Sequence, residues 1–379
     1  MNRRQFLLVT GGGIVLAAGA ATTAFLATRT PDAALLPWTQ TSLYDEPRRK
    51  ALSYAILAPN PHNRQPWKVD LSTDGEITLY VDTSRLLPHT DPFNRQITIG
   101  LGCFLELLIL AAAQDGYRVD LQLFPEGEDS TSLDRRPVAH ARFIADATVS
   151  PDPFFAHVLN RRSLKEPYDL NRPVAAATLA TLQGAGAHGM AIASSADPDH
   201  VATLRELTSR AMVIELDTPH TYKESVDLMR LGKSEIEANP DGIDFGGPLF
   251  DSLVLLGQFS REAAIDPNSM IFSQGKAVVL ANTESAMAHI WLVSATNTRQ
   301  DQISAGRDWV RINLAATAAG VGVQPLSQAL QEFPEMAKCY EQAHQILAPS
   351  GGTVQMLARL GYASPVAPSP RWPLAAKII

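Results

Sequence analysis

The chain is poor in the residues that most often announce a metal or covalent site. It has 2 cysteines in 379 residues, Cys103 and Cys339, far apart and in no metal-like spacing. That excludes a disulfide framework and gives no structural zinc site. The 9 histidines are scattered, with no HExxH and no paired pattern, so no metal ligand is assigned. No GxSxG nucleophile elbow is present. There is no long basic run, and the net charge is -7, which argues against nucleic acid as a partner. What remains, 45% hydrophobic and 19% charged, is ordinary for a globular protein of two domains or one large one.

The first residues differ from the rest. Arg3 and Arg4 precede Gln5, Phe6 and Leu7, and no charge occurs from Gln5 to Thr28. This pattern resembles a twin-arginine export signal, with the export machinery as an implied partner. The run is also long enough to span a bilayer. The expected location is the periplasm or the outer face of the inner membrane. Gly11, Gly12 and Gly13 follow no strand, so they are not read as a nucleotide loop.

Residues 29–44 read as a Pro/Thr-rich linker. Pro47 starts a helix that must end before Pro59. Strands are expected at 67–72 and 76–82, joined by a turn at Asp74-Gly75. Residues 102–116, GCFLELLILAAAQDG, are apolar almost all round but too short for a membrane span, and read as a buried helix. A strand follows at 119–124. In the second part, helices are expected at 154–160, 174–184 and 198–216, with a strand at 188–194. A buried strand is expected within 271–281 and a long helix over 284–297. The turn-rich stretch 237–247 is a candidate lid.

One repeat stands out. GCFLELLILAAAQDG at 102 aligns with GRDWVRINLAATAAG at 306, an offset of 306 − 102 = 204. Glycine opens and closes both stretches, with Leu-Ala-Ala between. Two similar halves in one chain point to a fused dimer.

Two short stretches carry polar chemistry. APNPHNRQPW, residues 58–67, has three prolines and then Asn60, His62, Asn63, Arg64 and Gln65. The prolines forbid a regular helix or central strand. Asn and Gln each offer donors and an acceptor on one planar group, which complements the edge of a flavin ring; the alternative is an ordinary surface turn. NRRSLK, residues 160–165, places Arg161, Arg162, Ser163 and Lys165 together. Arginine forks grip phosphate oxygens and lysine adds a point charge; the alternative is a solvated helix end.

Together these stretches resemble the nitroreductase superfamily of FMN-dependent oxidoreductases. Arg161, Ser163 and Lys165 match the family's Arg-x-Ser-x-Arg/Lys motif. Pro59, Asn63, Gln65, Pro66 and Trp67 match its Pro-Ser-x-x-Asn-x-Gln-Pro-Trp loop. Arg371, in SPRWPL after LGYASP, matches a basic residue before a proline near the C-terminus. The resemblance covers most of residues 47–379. It implies an α+β, nitroreductase-like fold. Tandem duplicated halves, 45–149 and 150–379, would form a pseudo-dimer of central sheets flanked by helices.

The resemblance implies FMN as cofactor, held by Pro59, Asn60, Asn63, Gln65, Arg161, Arg162, Ser163, Lys165 and Arg371. The family order is reversed here, since the arginine motif follows the loop. LQGAGAHGMAI stands where the second half would have its own loop. One composite flavin site per chain is therefore expected, in a monomer. The implied function is an exported oxidoreductase that passes electrons through flavin N5 to a small organic acceptor. NAD(P)H or another donor would supply the electrons, and no catalytic side chain is assigned. The alternative is a protein that stores or sequesters FMN with little turnover, because nicotinamide nucleotides are cytosolic.

Overall fold

The computed structural model describes residues 28–379. The stretch expected to be an export signal lies outside the described residues. The first half begins with α1 (Pro47–Ala55), opened by Pro47 and capped by the Glu46 carboxylate, which accepts from the Arg48 and Arg49 amides. Then follow β1 (Trp67–Asp70), β2 (Glu76–Val81), α2 (Arg95–Gln114), β3 (Tyr117–Leu123) and β4 (Ala139–Ala145). The second half has α3 (Ala176–Gln183) and β5 (Ala191–Ser195). A helical insertion comes next: α4 (Pro198–Asp217), α5 (Pro219–Asp227), β6 (Met229–Leu231), α6 (Gly232–Ala238), β7 (Ile243–Phe245), α7 (Pro248–Leu255), α8 (Arg261–Ile265) and α9 (Met270–Glu284). The half closes with β8 (Ala288–Ser294), α10 (Arg299–Ala318), β9 (Gly322–Pro325), α11 (Ala337–Leu347) and β10 (Thr353–Gly361).

The architecture is α+β. The first sheet has the order β1-β2-β4-β3 and the second β5-β8-β10-β9, both antiparallel throughout. Helices α2 and α10 pack against each other between them, in one core that includes Phe104, Leu107, Val310 and Leu314. α2 is long and apolar enough for a membrane span, but it is a core helix, buried along most of its length.

The crossing is close because both helices carry glycine there. A Cβ on Gly102 would overlap the carbonyl oxygen of Ile303, and one on Gly306 would overlap that of Ile99. The two contacts are reciprocal under a single offset: 306 − 102 = 204 and 303 − 99 = 204. Cys103 Sγ donates to the Gly306 carbonyl at 3.1 Å.

Three expectations need correction. Residues 271–281 are not a strand but part of α9, and residues 284–297 are not a helix but contain β8. β8 is buried at all but one position, so its apolar run has no alternation to betray it. Residues 29–44 are no loose linker. They form three short helical turns, Asp32–Leu35, Leu36–Trp38 and Thr41–Leu43, with Trp38 buried. The Trp38 indole donates to Ser369 O at 2.9 Å, which ties this segment to the C-terminal tail.

Candidate functional site

The loop between α1 and β1 is strained. His62, Asn63 and Gln65 have φ of 46°, 50° and 49°. Each left-handed non-glycine residue costs about 1–2 kcal/mol, so neighbouring contacts must hold the loop. Asn60 does so from within: its Oδ1 accepts from the Gln65 amide at 2.7 Å, and its Nδ2 donates to Ala58 O. The C-terminal tail does so from outside. Asn63 Nδ2 donates to Pro370 O at 3.0 Å, and Asn63 Oδ1 accepts from Arg371 at 2.7 Å. Gln65 is fully buried. Its Nε2 donates to Pro240 O at 2.7 Å, and its Oε1 accepts from the Trp372 amide at 2.9 Å. Lys377 Nζ donates to Gln65 O at 2.7 Å.

This differs from the reading of Asn63 and Gln65 as groups held ready for a ring edge. Their amides bind the tail and the 239–242 turn, because a left-handed loop this strained needs side-chain braces. Pro59 and Asn60 are half-buried, and Asn60 lies against Gly100 of α2, where a Cβ would come within 3.1 Å of the Asn60 Cβ.

The basic residues do converge on this loop. Arg161 is buried and donates to Leu57 O at 3.2 Å. Arg371 is buried and donates to Ile56 O, Leu57 O and Ala58 O at 3.1–3.2 Å. Arg162 stacks over the Trp38 ring with its guanidinium carbon 4.6 Å from the centroid, and Arg371 approaches the same ring at 5.4 Å. Among the described residues, no carboxylate lies within ion-pair distance of Arg161, Arg162 or Arg371. Burial lowers Arg161 to about 10; burial and then the charge of Arg161 lower Arg371 to about 9. The buried Nε atoms of Arg161 and Arg162 have no acceptor. Ser163 is half-buried and Lys165 exposed at the rim. His62 is pushed down to about 4 by burial, then by Lys165 and Arg64, so it is neutral at pH 7.

Such a group of buried cations with orphaned donors fits a phosphate group, whose oxygens accept from several guanidiniums at once. The residues present therefore fit the phosphate end of FMN.

Residues 184–190, expected to be the counterpart of this loop, have different surroundings. Asp308 accepts from the Ala187, His188 and Met190 amides. Beside it, buried Glu106 pairs with Arg307 at 2.8 Å, Arg311 at 2.9 Å and His188 at 3.0 Å. Burial opposes ionisation there, but these partners overcome it and hold Glu106 down at about 2. Cations on this side are already neutralised.

The candidate lid is clamped to the first loop. Asp241 is buried, pairs with Arg85, and pairs with Arg230 at 2.6 Å. It also accepts from the Trp372 indole at 3.2 Å, and Gly242 N donates to Asn63 O at 3.3 Å. Sequence alone does not mark Trp38 and Lys377 as part of this region, whereas Asp241 falls in the candidate lid and Trp372 follows Arg371 in SPRWPL. Trp38 stands among other apolar residues, Leu35, Leu36 and Tyr44, so nothing in the stretch singles it out. Among the described residues, no group of three or more His, Cys, Asp or Glu stands in a metal-holding arrangement.

No protein-family model matches the chain. Over most of its length it is similar to a Mycobacterium tuberculosis protein, Rv3131, whose name assigns it provisionally to the NAD(P)H nitroreductases. Identity is 25% over 332 residues, covering 85% of this chain and 88% of that protein. A second protein of that organism, acg, with a name of the same kind, is 28% identical over 122 residues, covering 32% of this chain and 37% of that protein. A solved structure of the FMN-dependent nitroreductase NfnB from Mycobacterium smegmatis, in complex with NADPH, superposes with a TM-score of 0.35 at 18% identity, covering 57% of this chain and 92% of that one. The sequence relatives support an oxidoreductase related to the nitroreductases.

Proposed function

We propose that this protein is an FMN-dependent oxidoreductase of nitroreductase type, a tandem duplication with one flavin site per chain. One observation carries the reading: Arg161 and Arg371, both buried and without carboxylate partners, meet on the carbonyls before the 58–67 loop. In this reading Arg161 and Arg162 grip the phosphate with their free Nε groups, while Lys165 and Ser163 add a charge and a hydroxyl at the rim. Arg371 contributes charge and fixes the loop through Asn63. FMN, when bound, supplies two-electron transfer between a donor and a small organic acceptor. NAD(P)H is the donor suggested by the names of the relatives. The shared sheet order and the reciprocal glycine contacts support duplication. The neutralised network at Glu106 supports a single site. Export by the twin-arginine route rests on Arg3 and Arg4.

The test is the absorption spectrum of the purified chain, with released flavin quantified, followed by NADPH or dithionite. About one FMN per chain, reduced by NADPH, supports the whole reading. Two per chain removes the single-site reading, and none after FMN is added removes the cofactor. Changing Arg3 and Arg4 to Lys should leave the protein in the cytoplasmic fraction; unchanged export would remove that part.

The clamp on Asp241 favours a second reading, an FMN store with little turnover. Tightly held FMN that dithionite reduces but NADPH does not would select it.

A further inference from the structure

We propose that the tip of the helical insertion docks on the lipid bilayer that holds the N-terminal run as an anchor. The proposal rests on reading residues 5–28 as a retained anchor. The tip carries the adjacent Leu255 and Leu256, which are 71% and 57% exposed. Leu255 and Leu256 lie in an uncharged stretch, residues 252–260, that turns at Gly257 with φ 67°. The insertion has its own small core, including Leu253 and Phe259, so these leucines are left over after that core is filled. Exposed apolar groups that cluster in this way mark a contact surface.

The start of the described chain says what covers it. Lys233 Nζ of α6 donates to Thr28 O at 3.1 Å, Arg29 approaches Asp251 of α7 at 3.9 Å, and the Ala33 amide donates to Glu237 at 3.4 Å. Asp251 and Leu255 are one turn apart on α7, about 6 Å along its axis. The described chain therefore begins beside the helix that carries Leu255. An anchored chain holds this tip at the bilayer surface, where contact is intramolecular and modest apolar burial suffices. The stretch that carries the leucines, residues 252–260, has no charge of its own, so the attraction is apolar and docking should respond little to salt.

The test uses the full chain in phosphatidylethanolamine–phosphatidylglycerol vesicles. An environment-sensitive dye is placed at Leu255→Cys, or at Leu170→Cys as control. Cys103 and Cys339 are each 1% exposed and take no label in the folded chain. The expected result is a blue shift of the dye at 255 and loss of its emission with brominated lipid, unchanged by salt, while the dye at 170 keeps its emission. In vesicles that float with the protein, an unquenched dye at 255 overturns docking and leaves the anchor standing. A blue shift without quenching means that protein covers the tip, and also overturns the proposal. Protein that does not float with the vesicles removes both anchor and docking, and leaves FMN binding untouched.

Discussion

Arg161 and Arg371 each donate to the carbonyl oxygen of Leu57, both at 3.2 Å. Two buried guanidiniums brought to one backbone atom, with no carboxylate in ion-pair contact, repel each other; Asp244 offsets this in part and a bound anion would relieve the rest. Inorganic phosphate or FMN should therefore raise the melting temperature. Arg161→Ala should weaken FMN binding about tenfold to a hundredfold, since a hydrogen bond to a charged group contributes roughly 1.5–3 kcal/mol. Flavin fluorescence titration measures it; unchanged affinity would falsify the phosphate site.

Glu106 gives the opposite case. Its carboxyl titrates at about 2 in the folded protein, against 4.5 ordinarily. A depressed carboxylate pKa stabilises the fold above the unfolded value, and that stability is lost as pH falls from about 4.5 toward 2. Glu106→Gln should cost on the order of 3 kcal/mol near pH 7, because Arg307 and Arg311 lose their buried partner. Urea denaturation at pH 7 and pH 3 should show the gap narrowing at the lower pH. An equal gap at both would mean that the charge of Glu106 is not the cause.

Gly306→Ala places a methyl group against the Ile99 carbonyl of the facing helix. Overpacking of this kind costs about 1–3 kcal/mol or more, because two helices must separate. Gly102→Ala acts at the same crossing, so the double variant should deviate from additivity. Thermal unfolding of the four proteins in the cycle decides it, and a Gly306→Ala protein as stable as the parent would contradict the close crossing.

Asp241→Asn should loosen the 239–242 turn from the 58–67 loop by weakening the pairs with Arg85 and Arg230. If the turn limits access, NADPH oxidation should rise while FMN content stays near the parent value. Loss of FMN with no gain in rate would show that the turn supports the loop instead of gating it.

Much of the chain is legible one residue at a time. Pro47 and the run RRKALSYAIL that must end before Pro59 mark α1, and the glycine-bounded Leu-Ala-Ala segments mark α2 and α10. β8 and α9 exchange places in a reading by pattern because neither has a clear period: β8 is buried on both faces, and KAVVLA in α9 has the β-branched run of a strand. β4 escapes the same reading, since alanines give its alternation little contrast.

The sequence by itself determined that a proline-braced polar loop and an arginine cluster exist, that glycines recur at an offset of 204, and that an uncharged run follows Arg3 and Arg4. Those are properties of neighbouring residues. Only the tertiary structure decided that Asn63 and Gln65 brace the loop against the tail, and that Trp38 lies under two arginines. It also decided that one loop faces unpaired cations and the other a neutralised network. Burial and partnership depend on residues far apart in the chain, and the energy of a buried charge depends on them more than on its own sequence neighbours.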